Sequence, residues 1–451
     1  MTHEELKKKI IDEVKYVSIE GDWYELSGDI TGKTIQEALK EHNNVYIPNI
    51  GKPIVVDEPI ILSSNKHLKV AEGQIIMQGK DSETCLVRNE SLQDGAFSIT
   101  DPGKRDKNIS IEGGVWHIKK TQRCHVSCEK NIQGALGAII LCGVSQVQLK
   151  NMRIFDNEEL CGRGTSSASY GIQICDCDNF VVENIDFYDN SRDGVHINGP
   201  AEYGIVRHIR GDKMGDDMVA MNAWDWDTSA ITFGTIQNVV VEDILGTGNE
   251  FRLLPGQKLY KDGTKADCDI RNCVIENLTG IYTFKLYAQP NIANAIHPDK
   301  HDVSGTVGTI ENIYFKDVTM KVANSGFNAI PVKGMFEVCA DCSNIHIENV
   351  NVGATQEKCN ELDLKFVSVG PLSAVWRNGS DNPADWGEVF DPDAICHAEE
   401  FYLKNISFDG VKESDPEKLA RATRMTINED YPNTTPKGGT GYGTLGKVYA
   451  E

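Results

Sequence analysis

A strand–bend–strand unit recurs along this chain. It appears as NISIEGGVWHI from Asn108, QVQLKNMRIFDN from Gln146, NFVVENIDFYDN from Asn179 and NVVVEDILGTGN from Asn238. It continues as DIRNCVIENLTG from Asp269, NIYFKDVTMKV from Asn312, NIHIENVNV from Asn344 and FYLKNISFDG from Phe401. Each copy is a strand of alternating apolar and polar residues, then Asn, Asp or Gly at a bend, then a second alternating strand. The copies lie mostly about 25 to 45 residues apart, the range of solenoid repeats. Another strand aligns with this series, as GAIIL, GIQIC, GVHIN, DMVAM, FRLL, FKLY and FEVCA between Gly137 and Ala340. Alternation there turns Val195, Ile197, Phe251, Leu253, Phe284, Leu286, Phe336 and Val338 inward. Short strands joined by bends and repeated in this way predict an all-β chain, a right-handed parallel β-helix of about nine or ten coils.

The segment TIQEALKEH from Thr34 reads as a short amphipathic helix with Ile35, Ala38 and Leu39 on its apolar face. At the start of a solenoid it would cap the open end, where strand edges are otherwise unpaired. The expected organisation is an N-terminal segment over 1–30, a single β-helix domain over 31–411, and a C-terminal helix and tail over 412–451. In the last, DPEKLARATRM is the helical run. The Pro/Gly/Thr-rich tail packs on that helix or on a neighbouring chain, the latter making a homo-oligomer.

A net charge of -22 over 451 residues argues against nucleic-acid or anionic-membrane partners, which select basic surfaces. No apolar stretch approaches the ~20 residues of a membrane span. The opening MTHEELKKKIIDEVKYV has lysines but lacks the apolar core and small-residue cleavage site of a secretory signal. Thirteen cysteines without framework spacing suggest reduced thiols, and together these features predict a cytoplasmic protein. Cys339 and Cys342 form one CxxC with no second pair, so a structural role is expected for them rather than zinc.

The chemistry concentrates in two segments. NSRDGVHINGP, Asn190 to Pro200, supplies Asp193 just before a strand; GDKMGDDMVAMNAWDWD, Gly211 to Asp227, supplies Asp216 and Asp217 one coil later. Coils stack about 4.8 Å apart, so the three carboxylates should converge on one patch of the wall. Crowded like charges raise the pKa of one member. A protonated acid beside ionised carboxylates is what glycosidic hydrolysis requires.

These segments resemble the motifs of the polygalacturonase-type glycoside hydrolases, a family of the pectate-lyase-like β-helix superfamily. NSRDGVHINGP is similar to that family's N-T-D-G-[IV]-[HD] motif, and GDDMVAM to its G-D-D-C-[IV]-[AS]-[IL] motif. The opening TIQEALKEHNNVYIP followed by IILSSNKHL also looks like the family's start. The resemblance covers residues 30–410 in repeat character and is motif-level only over Asn190–Asn222. It implies that Asp216 is the general acid, that Asp193 and Asp217 hold and deprotonate the attacking water, and that His196 lies beside the scissile bond. It also implies single displacement with inversion, for which the Asp193 and Asp216 carboxyls should stand about 6.5–9.5 Å apart. No cofactor and no metal is implied.

Two departures bear on the sugar. The family's G-H-G motif has no counterpart, and its R-[IL]-K motif is half present, with Arg252 but Leu254 in place of the lysine. Alternation turns Arg252 and Lys285 outward on successive coils in the column of His196, a basic ladder for a carboxylate or a row of sugar hydroxyls. Trp224 and Trp226 in NAWDWD are candidate stacking platforms for a sugar's C–H face. Glu158, Glu159 and Arg163 lie in a polar excursion that could wall the cleft. The expected substrate is an oligosaccharide outside ordinary pectin, with exo-acting α-glycosidase activity left open. The alternatives are a polysaccharide lyase or an intramolecular glycosyltransferase on the same fold, or a non-catalytic glycan-binding β-helix.

Overall fold

The computed structural model describes residues 1–79, 82, 85–92, 104–118, 137–156, 170–190, 192–225, 230–259, 264–287, 308–326, 332–370, 373–376, 387–390, 397–422, 435–436 and 444–451. They fall into two compact units. The first is Met1–Ala220 with Asp227–Thr232 and Asn238–Thr247; the second is Met221–Trp226 with Phe233–Gln237 and Gly248–Glu451. Both are built from coils of a right-handed parallel β-helix, the hand that parallel crossovers take almost without exception.

In the first unit Asn44–Ile47 pairs in parallel with His67–Gln78, which pairs with Asp106–Ile118. The series runs on through Gly137–Asp156, Tyr170–Tyr188 and Val195–Asp212. In the second unit Ile270–Tyr287, Thr309–Met320, Asp341–Val352, His397–Phe408 and Thr444–Ala450 follow one another in the same way. Another wall of that unit pairs Phe284–Tyr287 with Gly334–Cys339, then Lys365–Val369, then Ala420–Ala422.

The bends explain why the repeat is punctuated by asparagine. Asn108, Gln146, Asn179, Asn238, Asn272, Asn312 and Asn344 all have φ between 54° and 64°. The second bends do the same at Asn151, Asn184, Asp243, Asn277, Asp317, Asn349 and Asn405. Asn and Asp tolerate this left-handed region better than other residues with a Cβ, so a single residue turns the corner while the ladder continues. The predicted strand pairs are therefore continuous elements of up to 20 residues. The bend side chains also bond coil to coil. Asn312 Nδ2 donates to Asn272 Oδ1 at 2.7 Å, Asn344 to Asn312 at 3.0 Å, Asn349 to Asp317 at 2.8 Å and Asn405 to Asn349 at 2.8 Å.

Inside, the alternation holds: Val195, Ile197, Phe251, Leu253, Phe284, Leu286, Phe336 and Val338 are all fully enclosed. Phe284 and Phe336 stack at 4.7 Å with their planes 10° apart, and Phe336 meets Phe366 at 5.3 Å. The capping helix is Gly32–Glu41, with Ile35, Ala38 and Leu39 buried. Gln36 finishes an exposed strand edge, accepting from Ile61 N–H at 2.7 Å and donating to Ile61 C=O at 3.1 Å. An additional helix, His3–Glu13, begins in a capping box between Thr2 and Glu5 and buries Leu6 and Ile10. Val14, just past its end, packs on Val181 and Ile205. At the other terminus the run DPEKLARATRM is helical over Pro416–Leu419 and joins the sheet as Ala420–Ala422; its last three residues and most of the tail lie outside the described residues. No helix among the described residues is long and apolar enough to cross a membrane. Cys339 is half-buried and Cys342 buried, and burial pushes the Cys342 thiol up.

Candidate active site

The first unit brings Asp193, Asp216 and Asp217 together. Backbone pairing does the positioning: Gly171 N–H donates to Asp193 C=O at 2.9 Å, and Gly194 N–H to Asp217 C=O at 3.0 Å. Asp193 and Asp217 thus sit at matching places on adjacent coils. The approach depends on Gly194, where a Cβ would lie 2.8 Å from Met218 C=O and 3.0 Å from the Phe187 ring. Asn190 staples the preceding bend, its amide donating to Asp193 C=O at 2.9 Å while its own C=O accepts from Gly215 N–H at 2.7 Å.

One oxygen from each of the three carboxyls lies within 4.8 Å of the other two. The residues are 3%, 5% and 0% exposed, so the cluster is enclosed rather than spread on the solvent side of the wall. The direct backbone contact of the two coils is what brings these oxygens together. A water bonded to two oxygens at about 2.8 Å each spans roughly 4.6 Å, so the cluster has the scale of a water site.

Three neighbours tune it. Arg192 Nη1 lies 3.1 Å from Asp216 Oδ2. Burial works to lower the Arg192 pKa, but Asp216, Tyr170 and Asp193 outweigh it and raise the value. His196 is 1% exposed, with Nδ1 at 2.5 Å from Asp193 Oδ2 and its ring stacked on Tyr170 at 4.2 Å. It therefore reaches Asp193 directly. Asp193 Oδ1 in turn accepts from Asp217 N–H at 3.3 Å.

Arg252 and Lys285 belong to the second unit. Their outward phase is as alternation predicts, but both are held by Glu250, Lys285 Nζ at 2.7 Å and Arg252 Nη2 at 3.4 Å from Glu250 Oε2. Tyr282 OH donates to the other Glu250 oxygen at 2.7 Å. One carboxylate thus holds both cations of the basic ladder. Burial would raise the Glu250 pKa, yet Lys285 and Arg252 bring it down to about 2. Trp224 is 3% exposed, and Gly256 lies so close that a Cβ there would meet the Trp224 side chain at 2.6 Å. A stacking platform needs an open ring face, so the structure makes Trp224 a core residue. Trp226, Glu158, Glu159 and Arg163 lie outside the described residues. A cavity of about 400 Å³ elsewhere in the first unit is lined by Lys15, Arg105, Asp176, Asp178, Glu202 and Tyr203, among others. There Arg105 already pairs with Asp176 at 2.7 Å and Asp178 at 2.9 Å.

The fold has counterparts among solved structures. An exopolygalacturonase from Thermotoga maritima superposes with a TM-score of 0.58 at 13% identity, covering 94% of each chain. The tailspike protein of E. coli bacteriophage HK620, a mutant form in complex with pentasaccharide, gives 0.53 at 12% identity, covering 92% of this chain and 61% of the tailspike. These likenesses define the class, a right-handed parallel β-helix of the kind seen in those proteins. No protein-family model and no curated protein matches the sequence.

Proposed function

We propose that this chain is a glycoside hydrolase whose active centre is Asp193, Asp216 and Asp217. The observation that carries the reading is the convergence of three enclosed carboxylates, from two adjacent coils, within 4.8 Å. That an exopolygalacturonase and a tailspike bound to a pentasaccharide have similar folds supports a glycan as the ligand. Like charges this close are relieved by one shared proton, and such a pair titrates as a unit. We assign that proton to Asp216 and Asp217 together, to be given to the leaving oxygen, and assign deprotonation of the attacking water to Asp193. The resemblance to polygalacturonase motifs supports Asp216 as the group that hands the proton over. Displacement by water inverts the anomeric centre.

Defined aryl glycosides and oligosaccharides, with the product anomer read by NMR, test this. Wild type should hydrolyse at least one with inversion. On oligosaccharides, whose leaving oxygen needs a proton, Asp193→Asn, Asp216→Asn and Asp217→Asn should each lose about 10²–10⁴-fold in turnover with unchanged circular dichroism. A retained anomer would overturn the single displacement, and an unsaturated, ultraviolet-absorbing product would make the chain a lyase. Oligosaccharide binding unaffected by the three substitutions, with no cleavage by wild type, would make it a glycan-binding module.

A further inference from the structure

A hydrogen-bond chain runs from Asp193 into the core of the first unit. His196 Nδ1 meets Asp193 Oδ2 at 2.5 Å, and His196 Nε2 meets Asn198 Nδ2 at 3.1 Å. Asn198 Oδ1 accepts from Gln173 Nε2 at 3.1 Å, from Cys175 Sγ at 3.4 Å and from the Ile231 backbone N–H at 3.4 Å. Gln173, Cys175, Asn198 and Ile231 are all fully enclosed.

The direction of this chain can be read from its far end. A backbone N–H can only donate, so the Asn198 side chain must turn its oxygen towards Ile231. Its NH₂ then faces His196, and an NH₂ has no lone pair to offer. Nε2 must therefore be the unprotonated, accepting nitrogen, which leaves the single ring proton on Nδ1, donated to Asp193.

We infer that Asn198 is a positioning residue: its amide fixes His196 as the neutral tautomer with the proton on Nδ1, and so presents Asp193 with a neutral donor rather than a cation. The consequence for turnover rests on the hydrolase reading above; the tautomer itself rests on the hydrogen bonds alone. A doubly protonated His196 would set a ring N–H against the Asn198 NH₂, two donors facing each other in an enclosed space. A charged ring would also hold the Asp193 carboxylate against the water it is to deprotonate. Among the described residues the ring meets Asp193, Asn198 and Tyr170, and Arg192, Asp216 and Asp217 lie around Asp193. His196 thereby changes from the sugar contact expected from sequence to the link between Asn198 and Asp193.

The test uses ¹⁵N NMR of the full-length labelled protein near neutral pH, with the His196 signals assigned by comparison with His196→Gln. Wild type should show a protonated Nδ1 and an unprotonated Nε2. A proton on Nε2, or on both nitrogens, would overturn the inference without any variant being made. Asn198→Asp keeps the size of the side chain and the acceptor facing Ile231 and Gln173, but replaces the donor facing His196 with an acceptor. In it both ring nitrogens should carry protons, and kcat should fall at least about tenfold while KM stays within about twofold. Asn198→Asp with both nitrogens protonated and kcat unchanged would overturn the positioning role. If wild type cleaves no glycan, the hydrolase reading falls, and the spectrum still decides the tautomer.

Discussion

Replacing Glu250 by Gln should remove the negative charge that holds Lys285 and Arg252 while keeping the shape and the acceptor for Tyr282. The two cations would remain largely buried, and an amide NH₂ would face them. Lys285 and Arg252 lower the Glu250 carboxyl from an ordinary 4.5 to about 2, against a burial effect that raises it. At about 1.4 kcal/mol per pKa unit, that preference for the charged form is worth on the order of 3 kcal/mol. Removing one partner of a buried pair typically costs about 3–5 kcal/mol, which agrees. A carboxyl whose pKa is depressed on folding stabilises fully above its unfolded value, and loses the contribution as pH falls through its folded value. The gap between wild type and Glu250→Gln in equilibrium urea unfolding should therefore be ~3 kcal/mol at pH 7, and should close as pH drops from 4.5 towards 2. Adding Lys285→Met should cost less than the sum of the single changes, since the stranded cation is then gone. A gap below about 0.5 kcal/mol at pH 7, or one that does not narrow in acid, would refute the reasoning.

The shared-proton reading makes Asp216→Asn and Asp217→Asn recover on aryl glycosides with good leaving groups, which need no protonation, whereas Asp193→Asn should not; equal recovery by all three, measured as kcat/KM, would remove the division of roles. Gly194→Ala forces a Cβ to 2.8 Å from Met218 C=O, and should cost about 1–3 kcal/mol of thermal stability together with turnover. Unchanged melting and activity would mean that the coils do not approach so closely. Gln36→Ala strips both bonds from the Ile61 backbone; faster hydrogen exchange at Ile61 and a loss of about 1–3 kcal/mol are expected.

The wall pattern is legible in the sequence because alternation and the bend residues are local properties: a period of two and an Asn at each corner need no knowledge of the neighbouring coil. The helix His3–Glu13 escapes that reading although its signals are present, Thr2 three residues before Glu5 and an apolar face of Leu6, Ile10 and Val14. The acids are legible as motifs, but their surroundings are not. Arg192 on Asp216 depends on how one coil lands on the next, whereas His196 on Asp193 and Asn190 on the bend are contacts within one coil whose side-chain geometry the motif does not spell out. Glu250 has a local signal, since it stands two residues before Arg252 and so on the same strand face. The enclosure of Trp224 depends on Gly256, far outside the motif.

The amide ladder at the bends has a polarity. Its donors point towards the coil nearer the N-terminus: Asn184 to Asn151, Asn312 to Asn272, Asn344 to Asn312, Asn405 to Asn349. At the far end of one run, the Asn344 oxygen accepts from His346 Nε2 at 2.8 Å. An asparagine can both receive and pass on this bond, whereas an aspartate carboxylate can only receive it. Asp317 accordingly stands at the head of the run that continues through Asn349 and Asn405. The two residues look interchangeable at a left-handed corner but obey different grammar, one opening a run and the other prolonging it. A duplicated coil bearing asparagine could be spliced into such a run and find a receiver before it and a giver after it. Growth and shortening by whole coils are therefore written into the corners of this fold rather than into its core.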